Sequence, residues 1–246
     1  MNEMQEMVAA RGLPSYVWRA GQERRWQMIQ SAANGRLKGY VMEDGAGVGI
    51  YLEKMAELAR QTVGLEVELE RSIETRQRVS QVVCGIGEHL PFPANYFDLI
   101  LSHEVIEHVQ DDHLVIAEII RTLKPGGRLV LFCPNRGYPF ETHGIYWRGR
   151  YRFGNIPLVN YLPRRWRDRL APHVNVYTCS DLERLFAEFQ VLFVERTVIF
   201  GAYDNIIARF QVIGNLLRTV LHTLEKTPLR VFGLSHFWVV EKREPD

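Results

Sequence analysis

The stretch Val41-Met42-Glu43-Asp44-Gly45-Ala46-Gly47-Val48-Gly49 constrains this chain more than any other. An apolar strand runs into two acids, then three glycines at alternate positions, then a helix predicted from about Ile50 to Arg60. Glycine reaches φ > 0 without strain and puts no Cβ in the way, so the backbone can turn sharply and a ligand can come close to it. A helix start adds unpaired N–H groups and the positive end of a dipole. Acidic side chains beside such a turn suit hydroxyl or ammonium groups of a ligand. A Gly-rich turn also arises for purely local reasons, so its meaning depends on the segments C-terminal to it.

Those segments alternate between strands and helices. Thr62-Val63-Gly64-Leu65-Glu66 reads as a second strand ending in a carboxylate. It lies about 20 residues past the glycines, where nucleotide-type α/β folds place the acid that holds ribose hydroxyls. Gln81–Cys84 is a third strand, with a turn through Gly85-Ile86-Gly87-Glu88-His89-Leu90-Pro91-Phe92. Tyr96–Ser102 is a fourth, nearly all apolar, and its end carries His103-Glu104-Val105-Ile106-Glu107-His108. Asp111 or Asp112 can cap a helix to Leu123 with Val115, Ile116, Ile119 and Ile120 on its apolar face. Leu123-Lys124-Pro125-Gly126-Gly127 ends that helix and turns into a fifth strand. Beyond it, a helix from Ser180 to Phe186, a strand from Val191 to Phe200, a long helix from about Tyr203 to Glu225 and a strand from Gly233 to Lys242 are expected. This alternation predicts a parallel, doubly wound sheet.

In that order, Glu43-x-Gly45-x-Gly47-x-Gly49, Gly64-Leu65-Glu66, Glu88-His89-Leu90-Pro91-Phe92, Phe97-Asp98-Leu99-Ile100, Glu107-His108 and Leu123-Lys124-Pro125-Gly126-Gly127 resemble the class I S-adenosylmethionine (SAM)-dependent methyltransferases. Within that family the likeness is to the small-molecule branch with the ubiquinone-biosynthesis-type enzymes. It is strong over residues 36–133 and weak toward the C-terminus. The resemblance implies an α/β fold: a seven-stranded, mostly parallel, doubly wound (Rossmann-like) sheet of order 3-2-1-4-5-7-6 with the last strand antiparallel. It implies one domain over residues 1–246. An N-terminal arm and helix (1–35) would precede a SAM-binding core (36–133), an Arg- and aromatic-rich insertion (134–172) and a C-terminal helix–strand part (173–246).

The same resemblance implies S-adenosyl-L-methionine as cofactor and a small-molecule acceptor. Gly45, Ala46, Gly47 and Gly49 would wrap the cofactor, Glu43 would help hold its methionine part, and Glu66 would accept from both ribose hydroxyls. Gly87 and Glu88 would face adenine, with Ser102 and His103 completing the cofactor set. One departure matters: the family usually has an acid where this chain has Ile86. Ile86 can only pack on the ring, so adenine recognition would fall to backbone groups near Gly87 and Glu88, or to Glu88 itself. Asp44 stands at a commonly apolar position and is expected at the site mouth.

SAM carries its own leaving group, so the protein must bind it, align the acceptor and in some cases remove a proton. Histidine titrates near neutrality and can take that proton. His103, His108 and His143 are the candidate catalytic residues, placed after the fourth and fifth strands, the edge that faces ligand in open α/β sheets. A structural alternative has Glu107 and His108 ordering their loop by bonding backbone groups. His143 lies in Asn135-Arg136-Gly137-Tyr138-Pro139-Phe140-Glu141-Thr142-His143-Gly144, which resembles a stretch of some methyltransferases of cell-surface and secondary metabolism.

The insertion has its own charge. Residues 134–172 hold eight arginines and no lysine against Glu141 and Asp168, in a chain of net charge +1. Tyr146, Trp147, Tyr151, Phe153, Tyr161 and Trp166 interleave with them. Arginine favours bidentate contact with phosphate or carboxylate and stacking on rings. An anionic small acceptor, an anionic membrane surface touched through 148–169, RNA, or plain pairing with acids of the same fold all fit. The near-neutral whole chain implies no global polyelectrolyte partner, and by the resemblance the absence of an Asn-Pro-Pro-Tyr or Asp-Pro-Pro-Tyr stretch after the fourth strand argues against the amino-methylating nucleic-acid enzymes, so nucleic acid is not the expected partner. In the late helix, Ile206, Phe210, Ile213, Leu217, Val220 and Leu224 draw one apolar stripe that suits the domain's own core or a homodimer seam.

Cys84, Cys133 and Cys179 are odd in number with no CxxC spacing, so no metal site is expected. The polar start Met1-Asn2-Glu3-Met4-Gln5-Glu6 and the lack of a long apolar run predict a cytoplasmic protein. Two rival classes remain: a non-catalytic SAM-fold module acting through a partner protein, and an RNA methyltransferase using the basic insertion. A Rossmann dehydrogenase fits poorly with the Glu88–Phe92 and Lys124–Gly127 segments.

Overall fold

The computed structural model describes residues 18–201 and 211–244. Its central sheet has seven strands: β1 (Tyr40–Asp44), β2 (Gln61–Glu66), β3 (Val82–Cys84), β4 (Phe97–His103), β5 (Leu123–Pro134), β6 (Val191–Ile199) and β7 (Ser235–Lys242). They lie in the order β3-β2-β1-β4-β5-β7-β6. The first five are parallel, and β7 runs antiparallel to both β5 and β6. This is the expected order.

Helices cover both faces, which is why the central strands read as unbroken apolar runs. Successive residues alternate between two cores. Val41, Leu99, Leu101, Val130 and Phe132 face one side, packed under Trp26 and Ile29 of α1 (Ala20–Ala33) and Leu52 and Met55 of α2 (Ile50–Ala56). Met42, Ile100, Leu129 and Leu131 face the other, under Val115, Ile116 and Ile119 of α4 (Asp112–Thr122) and Leu182 of α6 (Cys179–Leu185). Between β2 and β3 runs α3 (Leu69–Arg76). Asp111, not Asp112, caps α4, its side chain accepting from the Leu114 N–H at 3.0 Å.

Two elements differ from expectation. Helix α2 stops at Ala56 rather than near Arg60. The Arg60 N–H already donates to the Gly39 carbonyl at 3.1 Å, which draws the chain into β2. Strand β5 begins at Leu123, and Lys124–Gly127 is an irregularity in it rather than a separate turn: the register with β4 jumps from Phe97↔Leu123 to Leu99↔Arg128. A Lys124–Asp98 ion pair of 2.7 Å holds that bulge.

Residues after β5 form the insertion. Phe140–Glu141 pairs with Ile156–Pro157, Ile145–Trp147 pairs with Arg150–Arg152, and α5 (Arg164–Leu170) comes next. Ile145, Val159, Ala171 and Val174 make its own small core. The late helix α7 is described over Gln211–Leu224. Of the expected stripe, Ile206 and Phe210 lie outside the described residues, Leu217 and Leu224 are half-buried, and Val220 is exposed. Val220 instead shares an exposed row with Val212 and Leu216. Among the described residues no helix is long and apolar enough to cross a membrane.

Candidate functional site

Between β1 and β4 the sheet order reverses, and ligands in open α/β sheets sit beyond the carboxyl ends of the strands at such a point. A cavity of about 940 Å³ opens there. It brings together Glu43, Gly45, Ala46, Gly47, Glu66, Ile86, Gly87, Glu88 and His103, all expected on the cofactor side, with His108 and His143. Gly49 and Ser102 do not line it. Each supports a residue that does.

The glycine turn is held from below. Gly45 has φ 71°, and a Cβ there would lie 2.4 Å from Val105 Cγ2. Gly49, at φ 80°, packs on Thr75, where a Cβ would come within 2.7 Å of Cγ2. Thr75 in turn donates its hydroxyl to the Gly47 carbonyl at 2.6 Å. The Gly47 N–H donates to Glu66 Oε2 at 2.8 Å, and the Glu68 N–H donates to Oε1 at 3.0 Å. Glu66 is thereby fixed at the end of β2 with lone pairs left over on both oxygens.

Acids crowd this end. Glu43 is buried and its Oε2 has no hydrogen-bond partner. Burial above all, with Glu66 and Asp44 adding to it, raises the Glu43 carboxyl well above the usual range. Asp44 is also buried, at 1 % exposure, and not at the mouth as expected. Ser102, opposite it in the β1–β4 register, donates its hydroxyl to Asp44 Oδ2 at 3.0 Å. Burial drives Asp44 up to about 6 against that bond, and Glu88 and Glu66 push the same way. A ligand carrying positive charge and hydroxyl groups would relieve all three acids together.

Ile86 is 45 % exposed on the cavity rim, and Gly87 lies close to Asp44: a Cβ there would stand 3.3 Å from Oδ1. Glu88 Oε1 accepts from the Gln110 N–H at 3.0 Å and so ties the rim to the loop before α4.

The far side of the cavity is built differently. Arg25, from α1, bonds His103 Nε2 and reaches Glu104 Oε1 at 3.3 Å. An arginine only donates, so His103 Nε2 accepts and its proton sits on Nδ1. Burial first and Arg25 second push His103 down to about 3. Its ring is wedged between Tyr51 and Phe132, at centroid distances of 5.1 and 5.2 Å. Burial alone would raise Glu104, but Arg25 and the nearby histidines overcome it and hold the carboxyl at about 2. Glu104 has φ 57°, a strained backbone for a residue with a Cβ, and Ser235 also donates to its Oε1 at 3.0 Å.

Past that bend, Glu107 is buried and neither carboxylate oxygen has a hydrogen-bond partner. His108 Nδ1 is likewise unpartnered. His108 nevertheless lies against the His173 backbone, so the structural reading of Glu107-His108 keeps its support there. Burial and then His143 lower His108 to about 4. His143 comes from the insertion, its ring 5.3 Å from that of His108. Glu141 Oε1 accepts the His143 N–H at 2.9 Å and lies 3.2 Å from Nδ1. Glu141 Oε2 is bonded at 2.7 Å by Arg167, and both partners are buried. Glu107, His108 and His143 are the described residues whose donor atoms could close on a metal ion.

Arg167 is thus structural, as are Arg164, paired with Asp181, and Arg136, which donates to the Asn160 and Leu162 carbonyls. Arg148, Arg150, Arg152, Arg165 and Arg169 are exposed, beside exposed Trp147, Phe153 and Trp166. Phe153 reaches the cavity mouth. Sequence reasoning missed Arg25, Tyr51 and the depth of Asp44. Arg25 sits in a run of mixed charges with no local signal, whereas Tyr51, directly after the glycine turn, was open to inference.

A family model described as a methyltransferase domain matches residues 42–131. A probable S-adenosylmethionine-dependent methyltransferase of Mycolicibacterium smegmatis is 31% identical over 116 residues, covering 46% of this chain and 45% of that one. A demethylmenaquinone methyltransferase of Renibacterium salmoninarum is 31% identical over 127 residues, covering 50% and 54%. The chain therefore spans about half the length of the curated relatives it matches. The crystal structure of an S-adenosylmethionine-dependent methyltransferase from Mesorhizobium loti superimposes with a TM-score of 0.63 over 89% of this chain and 97% of that one, at 16% identity. That likeness is one of fold.

Proposed function

We propose that this chain is a class I SAM-dependent methyltransferase that transfers a methyl group from SAM to an oxygen or nitrogen of a small, anionic acceptor. The observation that carries the reading is the acidic end of β1 and β2. Glu43, Asp44 and Glu66 are buried around a turn that admits no Cβ at Gly45, and Glu43 keeps an unpartnered oxygen. SAM supplies, when bound, an electrophilic methyl group on a positively charged sulfur, together with an ammonium and two ribose hydroxyls. The residues present fit such a ligand. Glu66 offers its remaining lone pairs to the hydroxyls, and Glu43 and Asp44 offer negative charge to the cationic part. Ile86 on the rim would pack on the adenine face, and the backbone near Gly87 and Glu88 would supply polar contacts. Burial of the ligand in the cavity would strengthen each of these interactions by excluding water.

On the acceptor side, His103 is a weak base at neutral pH, because it is buried and its nitrogen is engaged by Arg25. We assign it to positioning Arg25 and Tyr51 along the cavity wall. His108 and His143, which meet across the cavity, are the groups placed to meet an acceptor. The exposed arginines 148, 150, 152, 165 and 169 around Phe153 support an anionic acceptor, such as a glycan, lipid-linked or secondary-metabolite intermediate.

Incubation of the purified chain with SAM labelled in its methyl group and a fractionated cell extract tests this. Label is expected in the small anionic molecules. Label confined to RNA would replace this reading with the nucleic-acid one, and no transfer with SAM still bound would favour a binding module.

A further inference from the structure

Glu107 and His108 sit on the turn after β4, and His143 comes from the insertion far along the chain. Their donor atoms, one carboxylate and two imidazoles, all lie within 4.8 Å of one another. Glu107 is 1 % exposed, yet both its oxygens lack a hydrogen-bond partner, and so does His108 Nδ1. Buried polar groups are nearly always satisfied, and an unpaired buried carboxylate is costly. The Glu107 carboxyl faces that of Glu104, so the cluster calls for one electropositive partner, a shared proton or a cation. Arg25, whose charge reaches Glu107, is taken by His103 and Glu104.

The surroundings point to what that partner is. Glu141 Oε1 stands 3.2 Å from His143 Nδ1 and is itself anchored by buried Arg167. A carboxylate behind an imidazole fixes the proton on the near nitrogen and leaves the far one as a lone-pair donor, the usual arrangement behind a metal-bound histidine. Two imidazoles and one carboxylate suit a first-row transition ion better than Mg²⁺ or Ca²⁺, which favour all-oxygen shells. Three protein ligands also leave coordination positions open.

We propose that Glu107, His108 and His143 bind a divalent first-row transition cation, with Zn²⁺ and Mn²⁺ as its simplest representatives, where the insertion meets the sheet. Ligand bonds of about 2.0–2.1 Å require the three donors to draw closer than they stand, a movement that side-chain rotation supplies. The use of the ion rests on the methyl-transfer reading; its binding does not. A cation held there would take an acceptor hydroxyl as a further ligand and lower its pKa, so that the hydroxyl would give its proton to solvent at the cavity mouth and present its oxygen to the methyl group without a strong side-chain base. The acceptor is then an oxygen acceptor, an alcohol or phenol, rather than an amine.

Calorimetric titration of the chelator-treated full chain with ZnCl₂ and with MnCl₂, without SAM, tests the proposal. One equivalent is expected to bind each ion, with affinity falling at least tenfold in Glu107→Gln and in His143→Asn. Circular dichroism verifies that both variants fold; Gln keeps the shape of residue 107 and removes only the charge. No binding by the parent chain overturns the proposal. So does equal affinity in parent and both variants, which would place the ion elsewhere, for instance on exposed Cys84 or Cys179. A SAM titration of the same samples separates the two readings. Cation binding without SAM binding would leave the site standing and remove the methyl-transfer reading, and the reverse would do the opposite.

Discussion

The two walls of the cavity are made in different ways. The wall at β1 and β2 is local: the acids, the glycines and Glu66 lie within a short stretch of chain, and backbone bonds from Gly47 and Glu68 fix Glu66. The opposite wall is assembled over long distances. Arg25 from α1 meets His103 and Glu104 after β4, and His143 is carried in by an insertion whose buried Glu141–Arg167 pair holds it. The first wall has little freedom to change without losing the turn, whereas the second is set by side chains that can be exchanged. A fixed way of holding one ligand and an adjustable way of meeting another would look like this.

The largest expected difference between the walls comes from Arg167→Ala. It leaves Glu141 buried without its cation, and breaking a buried pair costs about 3–5 kcal/mol. Urea unfolding should show that loss, while SAM affinity in the folded fraction stays near the parent's. Loss of SAM binding without loss of stability would mean that the two walls are not separate. Next is Glu66→Ala. Hydrogen bonds to a charged group contribute about 1.5–3 kcal/mol, so SAM should bind about 10- to 100-fold more weakly by calorimetry. An affinity within twofold of the parent would move the ribose contact to another residue.

Asp44 gives a pH test. Its folded pKa, about 6, lies above the ordinary 3.8, so the native chain holds a proton that the unfolded chain releases. Its contribution to stability is present below the unfolded value and is lost as pH rises from about 4 to 6. Melting temperature of the ligand-free protein should therefore carry a downward component across that window, absent in Asp44→Asn. A variant with the parent's full slope would assign the effect to Glu43 or another acid. The smallest effect is expected from Ile86→Asp. An acid on the rim adds one acceptor, worth about 0.5–1.5 kcal/mol, and should tighten SAM binding by a few-fold. No change would mean that adenine does not reach this rim.

The contrast between the walls also explains what was legible in the sequence. The strands, the glycine turn and Glu66 show in short-range patterns in which residue type and spacing are dictated by backbone geometry, whereas the strand order is what the family resemblance implies. The resemblance sets Gly49 and Ser102 beside the ligand as well, but a motif does not separate a lining residue from the one beneath it; Gly49 packs on Thr75 and Ser102 holds Asp44. Arg25 was invisible because nothing near it in the chain marks it, and its partners are distant in sequence. The arginines of the insertion looked uniform by composition. The fold divides them, burying Arg167 beside Glu141 and leaving Arg148, Arg150 and Arg152 exposed.

Calorimetric titration of the purified chain with SAM and with its demethylated product, using NADH as control, tests the central claim most directly. Micromolar binding of the first two and none of NADH is expected. Absence of binding by SAM and its product would contradict the claim, leaving Glu43, Asp44 and Glu66 as a buried acidic cluster that serves some other ligand.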